Sequence, residues 1–162
     1  TVEQKFWLVE GSKRQKILLD FINQAKPERA IIFANRRDRT HKLVEYLKKK
    51  QISCEGLAGD IPQKKRLSTL NKFKSGELKY LIATDVAGRG IHVDGVTHVI
   101  NFELPDDAED YVHRIGRTGR AGSLGTAISF VSEDDAFNLP ALEEYLGGPI
   151  QCIQPDLLPD SD

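Results

Sequence analysis

Ala30-Ile31-Ile32-Phe33-Ala34 is an apolar run with no polar interruption. Successive strand residues point to opposite faces, so a strand can be apolar throughout only where both faces are covered; the run belongs inside a sheet with helices above and below. The residues that follow meet that demand. Asn35 can cap a helix over Arg36 to Lys50, in which Leu43, Val44 and Leu47 form one apolar stripe among charges, and the chain returns in Ile52-Ser53-Cys54-Glu55-Gly56-Leu57-Ala58. The unit is strand, helix, strand, and it repeats. Gly59-Asp60 turns the chain, Pro62 opens a helix carrying Leu67, Leu70 and Phe73 on one side, Gly76 closes it, and Tyr80-Leu81-Ile82-Ala83 is apolar again. A glycine-rich third crossover from Thr84 to Val96 leads to Thr97-His98-Val99-Ile100-Asn101-Phe102, and Thr126 to Val131 predicts a further strand.

The ends complete the pattern. Val2 to Val9 predicts a strand at a sheet edge, and Ser12 with Gln15 has the form of a capping box before Ile17, Leu18, Phe21, Ile22 and Ala25, with Pro27 as the stop. Ser132 to Leu146 predicts a helix that Pro140 breaks or restarts. The expected fold is α/β, a three-layer parallel β-sheet with helices on both faces and right-handed crossovers. Residues 1–150 form the domain, and residues 151–162, after Gly147-Gly148-Pro149, form a loosely attached acidic tail.

Composition narrows the class. With 162 residues, 40% apolar and 29% charged, one globular core is expected. Apolar runs are short and flanked by charge, and the amino end lacks a signal-peptide pattern, so neither membrane insertion nor secretion is expected and the address is cytoplasmic. Cys54 and Cys152 share no metal-binding spacing and read as buried thiols. The net charge of −1 conceals an asymmetry: all 23 Lys and Arg lie at or before Arg120, together with 16 of the 24 acids, so the body carries +7 and the end is acidic. A basic body points to a polyanion partner.

In parallel sheets ligands bind beyond the carboxyl ends of the strands. Asn35-Arg36-Arg37, Ala58-Gly59-Asp60 and Ala83 to Gly90 each follow a predicted strand directly and would open onto one edge, offering N–H groups, hydroxyls and arginines suited to phosphates. Tyr111 to Arg120 adds Arg114, Arg117 and Arg120 at three-residue spacing with Gly116 and Gly119 between them. Like charges on one side of a helix and glycines inside it both disfavour the helix. Guanidinium forks fit phosphate oxygens and glycine lets backbone approach a ligand, so the cluster points to a polyphosphate; a solvated helix end is the other reading. There is no G-x-x-x-x-G-K-[ST] phosphate loop and no acid pair placed for a metal, so nucleotide hydrolysis by this domain alone is not expected.

Four segments in this order, Ile31-Ile32-Phe33-Ala34-Asn35-Arg36, Gln63-Lys64-Lys65-Arg66, Ala83-Thr84-Asp85-Val86-Ala87-Gly88-Arg89-Gly90-Ile91 and His113-Arg114-Ile115-Gly116-Arg117-Thr118-Gly119-Arg120, resemble the carboxyl-terminal motifs of DEAD-box RNA helicases over roughly residues 1 to 150. The wording of Asp106 to Tyr111 and of Asn138 to Ala141 is most similar to the bacterial RhlB type. The resemblance implies the second RecA-like domain of an ATP-dependent RNA helicase, with ATP and Mg2+ held by an N-terminal RecA-like domain that this sequence does not contain.

Carried over residue by residue, the resemblance makes Arg117 and Arg120 arginine fingers toward the γ-phosphate, puts Gly90 and His92 on the nucleotide side, and gives His113 and Arg89 interdomain contacts. Asn35, Arg36, Gly59, Gln63, Arg66 and Thr84 fall at the RNA backbone, which would make RNA binding sequence-independent and salt-sensitive. Arg114 is expected to brace the motif from within, paired with Asp85. Two departures are visible. His92 stands where the family commonly has an Asp linked to the ribose, and imidazole cannot reproduce a bidentate acceptor; Gly88 replaces a usual Ala and is expected to loosen its loop. The rival reading is a docking module for a ribonuclease or ribonucleoprotein scaffold, using apolar residues between Phe137 and Leu146 or Ile150 and Leu158.

Overall fold

The computed structural model of the chain describes residues 1–119 and 123–159. In chain order these form β1 (Val2–Leu8), a 3-10 turn (Gly11–Lys13), α1 (Arg14–Ala25), β2 (Ala30–Phe33), α2 (Arg37–Lys49), β3 (Cys54–Leu57), α3 (Gln63–Ser75), β4 (Tyr80–Ala83), the single-turn α4 (Asp85–Gly88), β5 (His98–Asn101), α5 (Ala108–Ile115), β6 (Gly125–Val131), a second 3-10 turn (Glu133–Asp135), α6 (Leu139–Leu146) and β7 (Cys152–Ile153). Among the described residues the strands make one all-parallel sheet in the order β3-β4-β2-β5-β6-β1-β7.

The apolar run from Ala30 to Ala34 sits where it must. β2 is an interior strand, between β4 and β5, and all four of its residues are buried. Alternation divides them: Ile32 joins Ile82, Ile100 and Ile128 under Leu18 and Phe21 of α1 and Leu43 and Leu47 of α2, while Ile31 joins Leu81 and Val99 under Phe73 of α3. Farther along that second face Phe6 and Ala127 pack against Tyr111 of α5 and Leu142 of α6. Helices therefore cover both faces, as the three-layer expectation requires.

Four local expectations are corrected. β1 is not an edge strand, because β7 pairs outside it, Phe6 with Cys152 and Trp7 with Ile153. Phe6 and Trp7 are both buried, so this part of β1 is covered on both faces, and it is these two residues that pair with the outer strand. The segment expected as a loose tail supplies it and stays attached beyond: Leu157 packs on the core, and the Gln24 amide both donates to the Leu158 carbonyl (3.0 Å) and accepts from the Leu158 N–H (2.8 Å), as a neighbouring strand would. The Ser12–Gln15 capping box does not form. The 3-10 turn precedes α1 instead, the Gly11 N–H donates to the Glu133 carboxylate (3.3 Å), and Arg14 turns inward to donate to Ser132 Oγ (2.6 Å). Capping-box geometry appears at the second 3-10 turn, where Asp135 Oδ2 accepts the Ser132 N–H at 2.7 Å. Asn35 does not cap α2, whose N-cap is Arg36; the Asn35 side chain has other partners, described below. Pro140 lies in the first turn of α6 and restarts the helix.

Candidate functional site

Because every strand is parallel, the loops after β2, β3, β4 and β5 share one edge, and the core of that edge is Arg114. It projects from the last turn of α5 and is only 1% exposed. A guanidinium carries five N–H groups, and each has an acceptor here. Nε donates to Asp85 Oδ1 (2.6 Å), Nη2 to Asp85 Oδ2 (2.7 Å) and Asn35 Oδ1 (2.6 Å), and Nη1 to the Glu103 carbonyl (2.7 Å) and Asn101 Oδ1 (3.3 Å). The Phe33 ring lies against its face, 5.2 Å from the guanidinium carbon. One side chain thus joins the ends of β2, β4, β5 and α5. Asn35 closes the network by donating to the Leu104 carbonyl (2.9 Å), while its own N–H reaches the Glu103 carboxylate (2.9 Å).

Beside this brace lies a cavity of about 200 Å³. Arg89, Asp110, His113 and Arg117 line it with Phe33, Gly88 and the Arg114–Asp85 pair. Arg117 follows the end of α5 and is half-buried; Nη1 donates to the Ile91 carbonyl (2.7 Å) and Nε to the His113 carbonyl (3.2 Å), which fixes the side chain against the 84–91 loop. Gly90 adopts a φ of +75°, which favours glycine, and it, Arg89 and His92 are exposed on the same loop. Two expectations about glycine change. Gly88 does not loosen its loop: it is buried in α4, and a Cβ there would come within 2.8 Å of Phe33 Cε1, so its bare backbone admits the ring that supports Arg114. Gly119 does not open onto a ligand: with φ +68° it closes on the first strand, where a Cβ would meet the Thr1 carbonyl at 2.7 Å. The helix disfavour inferred for the arginine triplet does not arise, because α5 ends at Ile115 and leaves Arg114 inside it and Arg117 beyond it. Arg120 lies outside the described residues.

The residues assigned to RNA gather at the ends of β3, β4 and β2. Thr84 caps α4, its Oγ1 accepting the Ala87 N–H (3.4 Å), a bond that leaves the hydroxyl hydrogen for an acceptor. Arg66 crosses from α3 to the same turn and donates to the Ala87 carbonyl (2.9 Å). Gln63, Lys64 and Lys65 precede the first helical bond of α3, from the Arg66 N–H to the Pro62 carbonyl (2.9 Å), so their N–H groups point out of the helix start. Gly59 is exposed with no heavy atom within 4 Å of where a Cβ would stand, which leaves room for a backbone to approach. Next to it Asp60 is bonded to His41 (3.0 Å), and that bond holds its carboxyl below the usual range. Arg36 is exposed and 3.8 Å from Asp38. Asn35 is brought to this edge too, with its amide turned inward.

The sequence reading missed Phe33, Asn101, Glu103 and Ser129. Asn101 and Ser129 are fully buried and bonded to each other (2.9 Å), behind Arg114. Their signal was available, since each is a polar residue between two apolar ones, Asn101 between Ile100 and Phe102 and Ser129 between Ile128 and Phe130. Among the described residues no cluster of His, Cys, Asp and Glu could hold a metal ion, and no helix is long and apolar enough to cross a membrane. Among the exposed apolar residues are Phe137 and Leu158.

Comparison with known proteins agrees with this geometry. Residues 13–122 match the helicase conserved C-terminal domain. The ATP-dependent RNA helicase RhlB of Pseudomonas aeruginosa is 55% identical over 155 residues, which is 96% of this chain and 39% of that protein; the chain spans about two-fifths of the length of such relatives. Escherichia coli DEAD-box protein SrmB, solved bound to regulator of ribonuclease activity A, superposes with a TM-score of 0.87 at 33% identity, covering 100% of this chain and 99% of that one. Saccharomyces cerevisiae Dbp5 L327V bound to RNA and ADP BeF3 gives 0.86 at 30% identity, with 95% of this chain and 42% of that chain covered. The chain belongs to the helicase conserved C-terminal domain family, on its DEAD-box RNA helicase branch.

Proposed function

We propose that this domain is the second motor domain of an ATP-dependent RNA helicase that acts in the cytoplasm, and that it completes a nucleotide site whose other half is an N-terminal RecA-like domain outside this sequence. The observation that carries the reading is Arg117: its guanidinium is tied at Nη1 and Nε to two backbone carbonyls and borders a cavity shared with His113 and Arg89. A guanidinium so held is already oriented for an incoming phosphate, and such preorganisation is what makes an arginine finger effective, worth about 10³ to 10⁵ in rate. ATP, with Mg2+ held by the N-terminal domain, would supply the transferable phosphoryl group. Arg117 and Arg120 would donate to its γ-phosphate, Gly90 and His92 would lie on the nucleotide side, and His113 and Arg89 would meet the partner domain. Thr84, Gly59, Arg36, Asn35, Arg66 and the start of α3 at Gln63 would hold the RNA sugar-phosphate backbone, so that domain closure bends one strand and opens a duplex locally. Dbp5, which shares the fold, is seen with RNA and ADP BeF3 together.

In the full-length protein, Arg117→Ala and Arg120→Ala are each expected to abolish RNA-stimulated ATPase while thermal unfolding of this domain stays unchanged; turnover near wild type would refute the assignment. The domain alone is expected to show no ATPase. Docking to a ribonuclease or ribonucleoprotein scaffold is the second reading, favoured by exposed Phe137 and Leu158 and by the ribonuclease regulator seen on SrmB. It leaves Arg117 without a role and stands behind the motor reading.

A further inference from the structure

The charge of this chain is split by place. Residues 36 to 74, which form α2, β3 and α3, hold twelve Lys and Arg against four acids, Asp38, Glu45, Glu55 and Asp60, a balance of +8; the rest of the chain carries −9. These three elements are the end of the sheet. β3 is the outermost strand, α2 covers one face beside it and α3 the other. Both helices start at the cleft edge and run antiparallel to the strands, so each descends about 20 Å away from the cleft. Charge continues the whole way. Arg36 and Lys64 stand at the top, while Lys48, Lys49 and Lys50 at the end of α2 and Lys74 at the end of α3 are exposed at the bottom. Between the helices a groove of about 290 Å³ runs past the outer side of β3, with His41, Lys48 and Lys65 on its walls. Its carboxylates are Glu45 and Glu55, and Glu55 faces two ammonium groups, Lys65 at 3.3 Å and Lys72 at 3.9 Å, so the positive balance of this face lies in the lysines and arginines along the helices rather than in the groove floor.

We propose that this outer face is a second nucleic-acid tract, along which RNA leaving the cleft continues down α2, β3 and α3 through contacts to phosphates alone. The inference rests on the reading that RNA lies across Gly59, Gln63 and Thr84, and extends it beyond the residues assigned there. Two observations favour RNA over an acidic protein. The basic surface is continuous with the cleft edge. Among the described residues of α2, β3 and α3 the one exposed large apolar side chain is Leu67, too little for the apolar and aromatic anchors around which protein interfaces, depleted in Lys, are built.

The test uses the full-length protein and fluorescence anisotropy with labelled oligouridylates of about 6 and about 20 nucleotides, lengths that span the site sizes of single-strand binders. The variant is Lys42→Gln/Lys48→Gln/Lys49→Gln, three exposed positions on α2. It is expected to bind the short oligomer as wild type does, to bind the long one about tenfold more weakly, and to lose about 2 from the slope of log K against log salt, near 0.7 per released phosphate contact. Unchanged affinity and slope for the long oligomer would overturn the tract while normal, Gln63-dependent binding of the short one upheld the cleft. No binding of the short oligomer, or binding indifferent to Gln63→Ala, would overturn the cleft reading and the tract with it. Displacement of the long oligomer by polyglutamate as readily as by unlabelled RNA would assign the face to an acidic protein and overturn the proposal.

Discussion

Arg114→Ala should loosen the edge formed by the strand ends, although Arg114 is buried away from solvent. The substitution removes five donors at once and leaves Asp85, Asn35, Asn101 and the Glu103 carbonyl facing the vacated space. Asn101 is wholly buried and keeps only Ser129, whereas the Asp85 side chain is 23% exposed and can recover water. Removing one partner of a buried ion pair costs about 3 to 5 kcal/mol, and the partial exposure of Asp85 sets the expectation at the lower end, about 3 kcal/mol. In a domain of this size each kcal/mol lowers Tm by about 2 to 4 °C, so a fall of about 6 to 12 °C is expected in calorimetry, with a matching decrease in urea midpoint. Arg114→Lys should recover less than half, because one ammonium cannot reach three elements with a planar fork. Asp85→Asn combined with Arg114→Ala should lose less than the two singles added together, giving a coupling of about 1 to 3 kcal/mol. An Arg114→Ala domain that unfolds within about 1 kcal/mol of wild type would refute the view that this guanidinium holds the strand ends together.

Other consequences are open to direct measurement. Gly88→Ala is expected to destabilise by about 1 kcal/mol, the strain of displacing the Phe33 ring exceeding what Ala gains over Gly in a helix, and Phe33→Leu should relieve part of that loss in urea unfolding. Burial pushes the Cys54 thiol up to about 11, so in the native domain iodoacetamide near neutral pH should label Cys152 well before Cys54, and comparable labelling would contradict the packing of β3. Burial beside Phe21 lowers the pKa of His98 below its ordinary 6.5, so the unfolded chain takes up the proton first: its contribution to stability is complete above about 6.5 and lost as pH falls through the folded value. Tm of the wild type should therefore drop more steeply than that of His98→Gln between about pH 6.5 and 5, and parallel curves would sink the assignment.

The sheet was legible because its demands are local: uninterrupted apolar runs report burial on both faces, and stripes among charges report the covering helices. β7 was not, since two residues after Gly147-Gly148-Pro149 carry no period, and their partners, Phe6 and Trp7, lie at the other end of the chain. At Ser12 too a tertiary partner intervenes: a 3-10 turn replaces the capping box, and Glu133, far along the chain, accepts the Gly11 N–H at its start. Within the candidate site the pairing of Arg114 with Asp85 was readable as charge seeking charge, but its remaining acceptors, the amide oxygens of Asn35 and Asn101 and the Glu103 carbonyl, are neutral, and neither a charge rule nor a spacing rule connects them.

Arg114 and Arg117 differ in fate for a reason that residue type cannot express. Both belong to one short motif, three positions apart, and as a helical pair they would share a side. The helix ends between them, at Ile115, so Arg114 is carried inward and consumed by five acceptors while Arg117 turns back on the 84–91 loop and borders the cavity. Gly116, with φ −65°, only ends the helix; the positive φ sits at Gly119, which turns the chain toward Thr1. The glycines of the motif thus work by placing a helix end, and the helix end decides which arginine is structure and which can meet a phosphate. Moving that end by one turn would exchange their surroundings: Arg117 would then be drawn toward the Asp85 network and the cavity would lose the guanidinium that the proposed chemistry requires.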